Sequence, residues 1–383
     1  MATVTVSDID ETRCEIKHID IRSIAGKRTP RTLTEPRSGS ITITQYRSSF
    51  TSLLGPSPTF SLLLSSFEAS KNPFFHSICA YLPAHEELIL TSNLLQPTSA
   101  SAQPVILITR ARLLRHATSP STIRSIEWQK LRPPPSMPMP ASGAPYLDGV
   151  LYCSQGTSSP GTGGLYYMPR GHPPVPIVTN YFGREFNSVH SVTVSQNDGA
   201  LWFTDPCFGA DRGFRPQPEM PCQVYRFAPQ TGDLRVVADG LGRPMGIVLS
   251  PDEETVYVGE RGAEGEEGGE ETGKATVYAF DVVRRSGGVF LANKRVFAYV
   301  LAGVPGGIVC DELGNVYVGA ADGVEVFCAG GGILGVIEVP GGVSSLAFGK
   351  AGELFLCSEQ RLWRVRLTGL ESLPGSSMSI EDV

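Results

Sequence analysis

The sequence predicts an all-β chain folded as a six-bladed β-propeller over residues 41–383, and three observations point there. From residue 86 onward, short runs of alternating polar and apolar residues recur, among them Glu87 to Thr91, Gly149 to Cys153, Ala200 to Thr204, Thr255 to Val258, Asn315 to Val318 and Glu353 to Cys357. Such period-two runs are strand signals, and helical periodicity over more than two turns is absent. Tight-turn chemistry precedes the strands at Asn197-Asp198-Gly199, Ser250-Pro251-Asp252, Leu313-Gly314-Asn315 and Ala351-Gly352. These units return at a spacing of roughly forty to fifty residues, that of four-stranded propeller blades.

Three stretches interrupt the rhythm. Residues 1–40 are polar and rich in Arg, Thr and Ser, and are expected to form a poorly ordered N-terminal extension. Residues 114–145, with Pro133-Pro134-Pro135 and Pro138-Met139-Pro140, read as an excursion between blades. Residues 262–274 carry five glutamates among glycines and read as a solvated hairpin tip, because the alternating ligand spacing of a calcium loop is missing.

Composition excludes several function classes. The net charge of -6, without a Lys/Arg block, leaves no electrostatic basis for nucleic-acid binding. The N-terminal stretch lacks the continuous apolar segment of a signal peptide, and the apolar run around Phe60 to Leu64 is far short of the ~20 residues a membrane span needs. A cytoplasmic protein with no membrane partner is expected. The eight cysteines include no C-x-x-C pair and mostly sit in apolar runs, as buried free thiols of a reducing compartment do.

Three blocks carry a resemblance. They are Phe186 to Val192 running into Asp198 to Pro206; Gln223 to Phe227 through Arg243-Pro244-Met245-Gly246 to Ser250-Pro251-Asp252-Glu253; and Gly303 to Asp311 followed by Gly314-Asn315-Val316-Tyr317. Together they resemble the SMP-30/gluconolactonase family, in particular its fungal lactonohydrolase-like branch. The resemblance implies a six-bladed propeller that holds one divalent cation at the channel mouth, against a lactone carbonyl and an attacking water.

At the four ligand positions that the resemblance implies, and in a sixth-blade segment beside them, the residue here differs. Where the family reads F-H-E-A, this chain has Phe75-His76-Ser77-Ile78, and where it reads N-S-x-N-D, Asn187-Ser188-Val189-His190-Ser191. R-P-N-G becomes Arg243-Pro244-Met245-Gly246, V-P-D-G becomes Val304-Pro305-Gly306-Gly307, and the sixth-blade V-A-N-F becomes Val343-Ser344-Ser345-Leu346. A thioether and a glycine do not replace amide and carboxylate oxygens for a hard cation, so no metal ligand is assigned and the cofactor stays open.

The candidate catalytic residues are His190, His76 and Ser77; the candidate substrate-binding residues are Asn187, Ser191, Met245, Gly306 and Ser345, with Glu260 and Arg261 nearby. His190 reads either as a general base or soft-metal ligand partnered by His76, or as a hydrogen-bonded strand-end histidine. Ser77 and Ser191 each neighbour a histidine, but no G-x-S-x-G elbow accompanies them.

The resemblance implies a lactone hydrolase acting on a lactone, cyclic ester or anhydride intermediate of fungal secondary metabolism, with a small-molecule substrate. Two alternatives remain open: a metal-free propeller guiding a cyclisation, isomerisation or cycloaddition, and a non-catalytic small-molecule-binding protein.

Overall fold

The computed structural model describes residues 3–20, 39–67, 72–96, 103–262 and 275–370. Its strands form six blades around a central channel. Blade one runs outward from Cys79–Leu82 through Glu87–Thr91 and Ile108–His116 to Ser119–Leu131. Blades two, three, four and five begin at the inner strands Pro140–Tyr146, Ser191–Val194, Arg243–Leu249 and Ile308–Cys310, and each adds three antiparallel neighbours in chain order. Blade six takes Ser345–Phe348, Glu353–Ser358 and Arg361–Arg366 from the C-terminal part of the chain and Thr59–Ser65 from the N-terminal part. That last pairing closes the ring.

Each inter-blade interface holds its own apolar cluster. Ile78 and Ala80 pack on Val150 and Tyr152 between blades one and two, and Leu151 and Cys153 on Phe186 and Phe203 between two and three. The next interfaces set Trp202 and Val224 against Ile247 and Val258, then Val277 against Val316 and Val318. Blades five and six share Tyr317, Val326, Leu354 and Trp363, while Phe355 and Leu362 meet Leu88 and Ala111 across the ring closure. A sheet sandwiched between two others is buried on both faces. Glu87–Thr91 and Gly149–Gln155 are accordingly buried at every position, side chains of both parities included.

Two expectations are corrected here. In the first 40 residues, Val4–Ser7 adds to the outer edge of blade one, Thr12–Arg13 pairs with Thr59–Ser65, and Glu15–His18 lies parallel to Thr42–Gln45, itself the fifth strand of blade five. These strands are mostly exposed, because an outer edge strand needs backbone partners more than buried side chains; residues 21–38 lie outside the described residues. The stretch 114–145 is likewise no excursion. It supplies the outer hairpin of blade one and the inner strand of blade two, and the proline cluster covers only the crossing between them. The acidic stretch falls between the paired strands Thr255–Arg261 and Thr276–Arg285, with residues 263–274 outside the described residues. Among the described residues no helix is long and apolar enough to cross a membrane.

Charge also ties the first blade to the last. Glu353 is 1% exposed and accepts from Arg115 Nη1 and Nη2, both at 2.8 Å, and from Arg364 Nε at 2.7 Å. Arg115 comes from blade one and Glu353 and Arg364 from blade six, so the group spans the ring closure. Removing one member of a buried ion cluster leaves the others desolvated without compensation. Glu353→Ala is expected to lower unfolding free energy by about 3–5 kcal/mol in urea titration, whereas an exposed-pair control such as Asp281→Ala should fall within about 1 kcal/mol of wild type.

Candidate functional site

The antiparallel blade geometry brings two kinds of chain end to one mouth of the channel: the entry of each inner strand and the exit of the strand beside it. His76 and Ser77 precede the inner strand of blade one, His190 that of blade three and Gly306 that of blade five, while Met245 and Ser345 lie at the starts of theirs in blades four and six. Strand exits contribute Asn93, Glu260, Arg261 and Glu359 to the same cavity of about 1160 Å³. That is room for a drug-sized molecule. The structure therefore brings together His76, Ser77, His190, Ser191, Met245, Gly306 and Ser345 around one cavity.

Asn187 is the exception, being absent from the wall. Its Nδ2 donates to the carbonyls of Met220 and Pro221 at 3.1 and 3.2 Å, anchoring the end of the loop 206–222. Asp205 fixes the segment from beneath, accepting from the backbone N–H groups of Asn187 and Ser188 at 2.9 and 2.7 Å. His190 is thereby delivered to the channel and Asn187 turned away from it.

The carboxylate that the motif positions lack comes from elsewhere. Glu359, in the hairpin turn between Glu353–Ser358 and Arg361–Arg366, lies with Oε1 2.5 Å from His76 Nδ1, and its Oε2 accepts from Asn93 Nδ2 at 3.4 Å. An ionised carboxylate can only accept, so in a neutral imidazole the proton sits on Nδ1 and Nε2 keeps its lone pair. Glu359 holds φ 52°, a left-handed conformation costing a non-glycine residue about 1–2 kcal/mol, and its carbonyl accepts from the Phe75 N–H at 2.8 Å. No sequence motif marks Glu359; a Ser-Glu-Gln-Arg turn gives no sign that it folds back onto residue 76.

His190 has a different character. Burial, with help from the positive charges of Arg212 and Arg261, pushes its imidazole down to about 3, so it is neutral at physiological pH. Its ring meets Phe208 edge-on at 5.1 Å, and its buried Nδ1 has no hydrogen-bond partner among the described residues. A neutral imidazole with so low an affinity for protons is a weak base. It can still donate one hydrogen bond.

Neither Ser77 nor Ser191 is hydrogen-bonded to a histidine among the described residues; the Ser191 N–H donates to Thr204 Oγ1 at 3.1 Å. A seryl nucleophile needs that bond to its base.

The wall residues do not fit a hard divalent cation. Ser77, His190, Met245 and Gly306 present a hydroxyl, a neutral imidazole, a thioether and a bare backbone to the cavity. At Gly306 even a methyl group would come within 2.7 Å of the Ser344 carbonyl oxygen, so a side chain there would force the backbone to shift. Among the described residues no three His, Cys, Asp or Glu side chains converge as a metal site.

Comparison with known proteins bears out the resemblance. Residues 186–360 match the SMP-30/Gluconolactonase/LRE-like region. A gluconolactonase of Zymomonas mobilis is 34% identical over 202 residues, covering 50% of this chain and 53% of that protein. The chain thus spans about half the length of this relative. Lactonohydrolase oryL of Aspergillus oryzae is 28% identical over 338 residues, 82% of this chain and 71% of that protein. Among solved structures, a gluconolactonase from Xanthomonas campestris superposes with TM-score 0.63 at 24% identity, covering 85% of this chain and 94% of its own. Regucalcin from Agrobacterium tumefaciens, a calcium-binding protein, gives TM-score 0.51 at 16% identity over 77% of this chain and 91% of that one. Both share the propeller fold.

His190 carries a pH signature. Its folded pKa of about 3 lies below the ordinary 6.5, so between those values the unfolded chain binds a proton that the folded chain excludes, and stability falls as pH is lowered. His190→Gln removes this term. Wild type should lose more unfolding free energy than His190→Gln between pH 7 and pH 4.5 in urea titrations; equal losses would show that the ring is not held neutral.

Proposed function

We propose that this chain hydrolyses a lactone or cyclic ester, with His76 as general base, Glu359 as the residue that orients it, and neutral His190 with Arg212 and Arg261 facing the carbonyl oxygen. The observation that carries this reading is the 2.5 Å contact of His76 Nδ1 with Glu359 Oε1 inside the channel mouth. The reaction class is supported by the relatives named gluconolactonase and lactonohydrolase.

The steps follow from the proton positions. His76 Nε2 takes a proton from water while the water oxygen bonds to the lactone carbonyl carbon. Negative charge develops on the former carbonyl oxygen, where the His190 N–H and the two guanidinium groups stabilise it in a partly desolvated site. The tetrahedral intermediate collapses by breaking the ring C–O bond, and the departing alkoxide recovers the proton from His76. The product is the open hydroxy acid. Met245 and the glycines lining the cavity supply an apolar stretch against which a ring can rest, beside the polar groups that act on the carbonyl. Likeness to the Aspergillus lactonohydrolases supports a lactone substrate, and we place that substrate among the lactone or anhydride intermediates of fungal secondary metabolism.

Removing a general base costs about 10²–10⁴-fold in rate. His76→Gln and Glu359→Gln should each lower kcat/KM on an activated lactone by that order, mainly through kcat, while thermal melts confirm folding. Full activity in folded Glu359→Gln would remove the dyad from the mechanism.

A further inference from the structure

The loop 206–222 connects Leu201–Asp205 to Gln223–Ala228, paired strands whose last register partners are Asp205 and Gln223. A cysteine stands at each foot. Cys207 and Cys222 are 6% and 7% exposed, and their sulfurs lie 3.1 Å apart. Arg243 Nη1 donates to Cys222 Sγ at 3.6 Å, and the same guanidinium grips Asp211 of the loop at 2.7 and 2.8 Å. The hydrogen bond from Cys207, with the Arg243 charge, pulls the Cys222 thiol below its ordinary range, and Cys207 moves the opposite way. A thiolate stabilised by a cation beside a second thiol is the arrangement that oxidants select.

A second close thiol environment in the same molecule provides a contrast. Cys357 is fully buried beside Cys79, and the two donate to the backbone carbonyls of Ile78 and Phe355 at 3.6 and 3.7 Å. Burial pushes Cys357 well above the ordinary thiol range, and no guanidinium donates to it among the described residues. Cys222, by contrast, follows exposed Pro221, and residues 216–219 of its loop are open to solvent.

The loop also shapes the channel. Phe208 packs edge-on against His190, and Arg212 lines the cavity and adds its charge to the field at that ring. Arg215 anchors the loop's middle, donating to the carbonyls of Gln155 and Phe186 at 3.1 and 2.9 Å. What happens at the feet of the loop therefore bears on the channel wall.

We propose that Cys207 and Cys222 are a modification site, closing to a reversible disulfide under peroxide and fastening the loop that carries Phe208 and Arg212. The Cys222 thiolate attacks one peroxide oxygen, giving a sulfenic acid and, with a proton, one water. The Cys207 thiol then attacks the sulfenic sulfur, forming the S–S bond and releasing a second water. Two thiols have lost two electrons and two protons, and one peroxide has been reduced to two waters. The sulfurs need to approach by about 1 Å, within reach of side-chain rotation.

The test is mass spectrometry of the folded full chain after hydrogen peroxide, alkylation and digestion without reduction. A peptide joining Cys207 to Cys222, lighter by two hydrogens and abolished by dithiothreitol, is the expected product, with Cys79 and Cys357 recovered alkylated. Cys207→Ser, or Cys207→Ala should the serine variant misfold, should leave Cys222 as a dimedone-trapped sulfenic acid. The oxidised wild type should melt higher than the reduced by about 4 °C, the size expected for a loop of this length. Recovery of Cys207 and Cys222 as free thiols, or oxidation distributed evenly over all cysteines, would overturn the proposal. The readout needs no lactone, so it stands apart from the hydrolase reading.

Discussion

The pairing of Thr59–Ser65 with Arg361–Arg366 is the constraint on which the molecule rests. Six sheets stacked in a row would leave two open faces and no channel. Joining a strand from near the start of the chain to the last hairpin makes them a ring and buries the interface between Phe355 and Leu88. It also sets the distance relations at the mouth, because Glu359 belongs to that last hairpin and His76 to the segment that enters blade one. The Glu353–Arg115–Arg364 cluster also ties blade six to blade one. The site and the closure of the ring are one piece of construction.

That explains how a scaffold can keep its form while its chemistry is rebuilt. The loops at the entries of the inner strands are held by backbone pairing and by buried residues such as Asp205, which bind no ligand and are unaffected by what projects into the channel. Changes at positions 77, 190 and 245 therefore leave those supports intact. Position 306 is constrained, since the Ser344 carbonyl lies 2.7 Å from where a Cβ would stand.

The fold was legible in the sequence because turn chemistry and strand runs recur with blade spacing. The N-terminal strands were not: Val4–Ser7 and Glu15–His18 are stabilised by backbone pairing at outer edges and show no buried face. Proline runs likewise hid the fact that Pro140–Tyr146 is an inner strand. His76, His190 and Met245 line the cavity as expected because inner-strand entries, which the motifs mark, face the channel. Asn187 was misplaced, since neighbouring residues in a tight segment point to opposite sides. Glu359 was invisible, 283 positions from its partner in a turn that only ring closure carries to the mouth.

We propose that a histidine and a carboxylate brought together by ring closure activate water in place of a bound cation. This is tested most directly by following hydrolysis of an activated lactone by the purified chain before and after exhaustive chelation, with elemental analysis of the same samples. The account predicts an unchanged rate in metal-depleted protein. Loss of activity on chelation, restored in proportion to an added divalent ion, would contradict it.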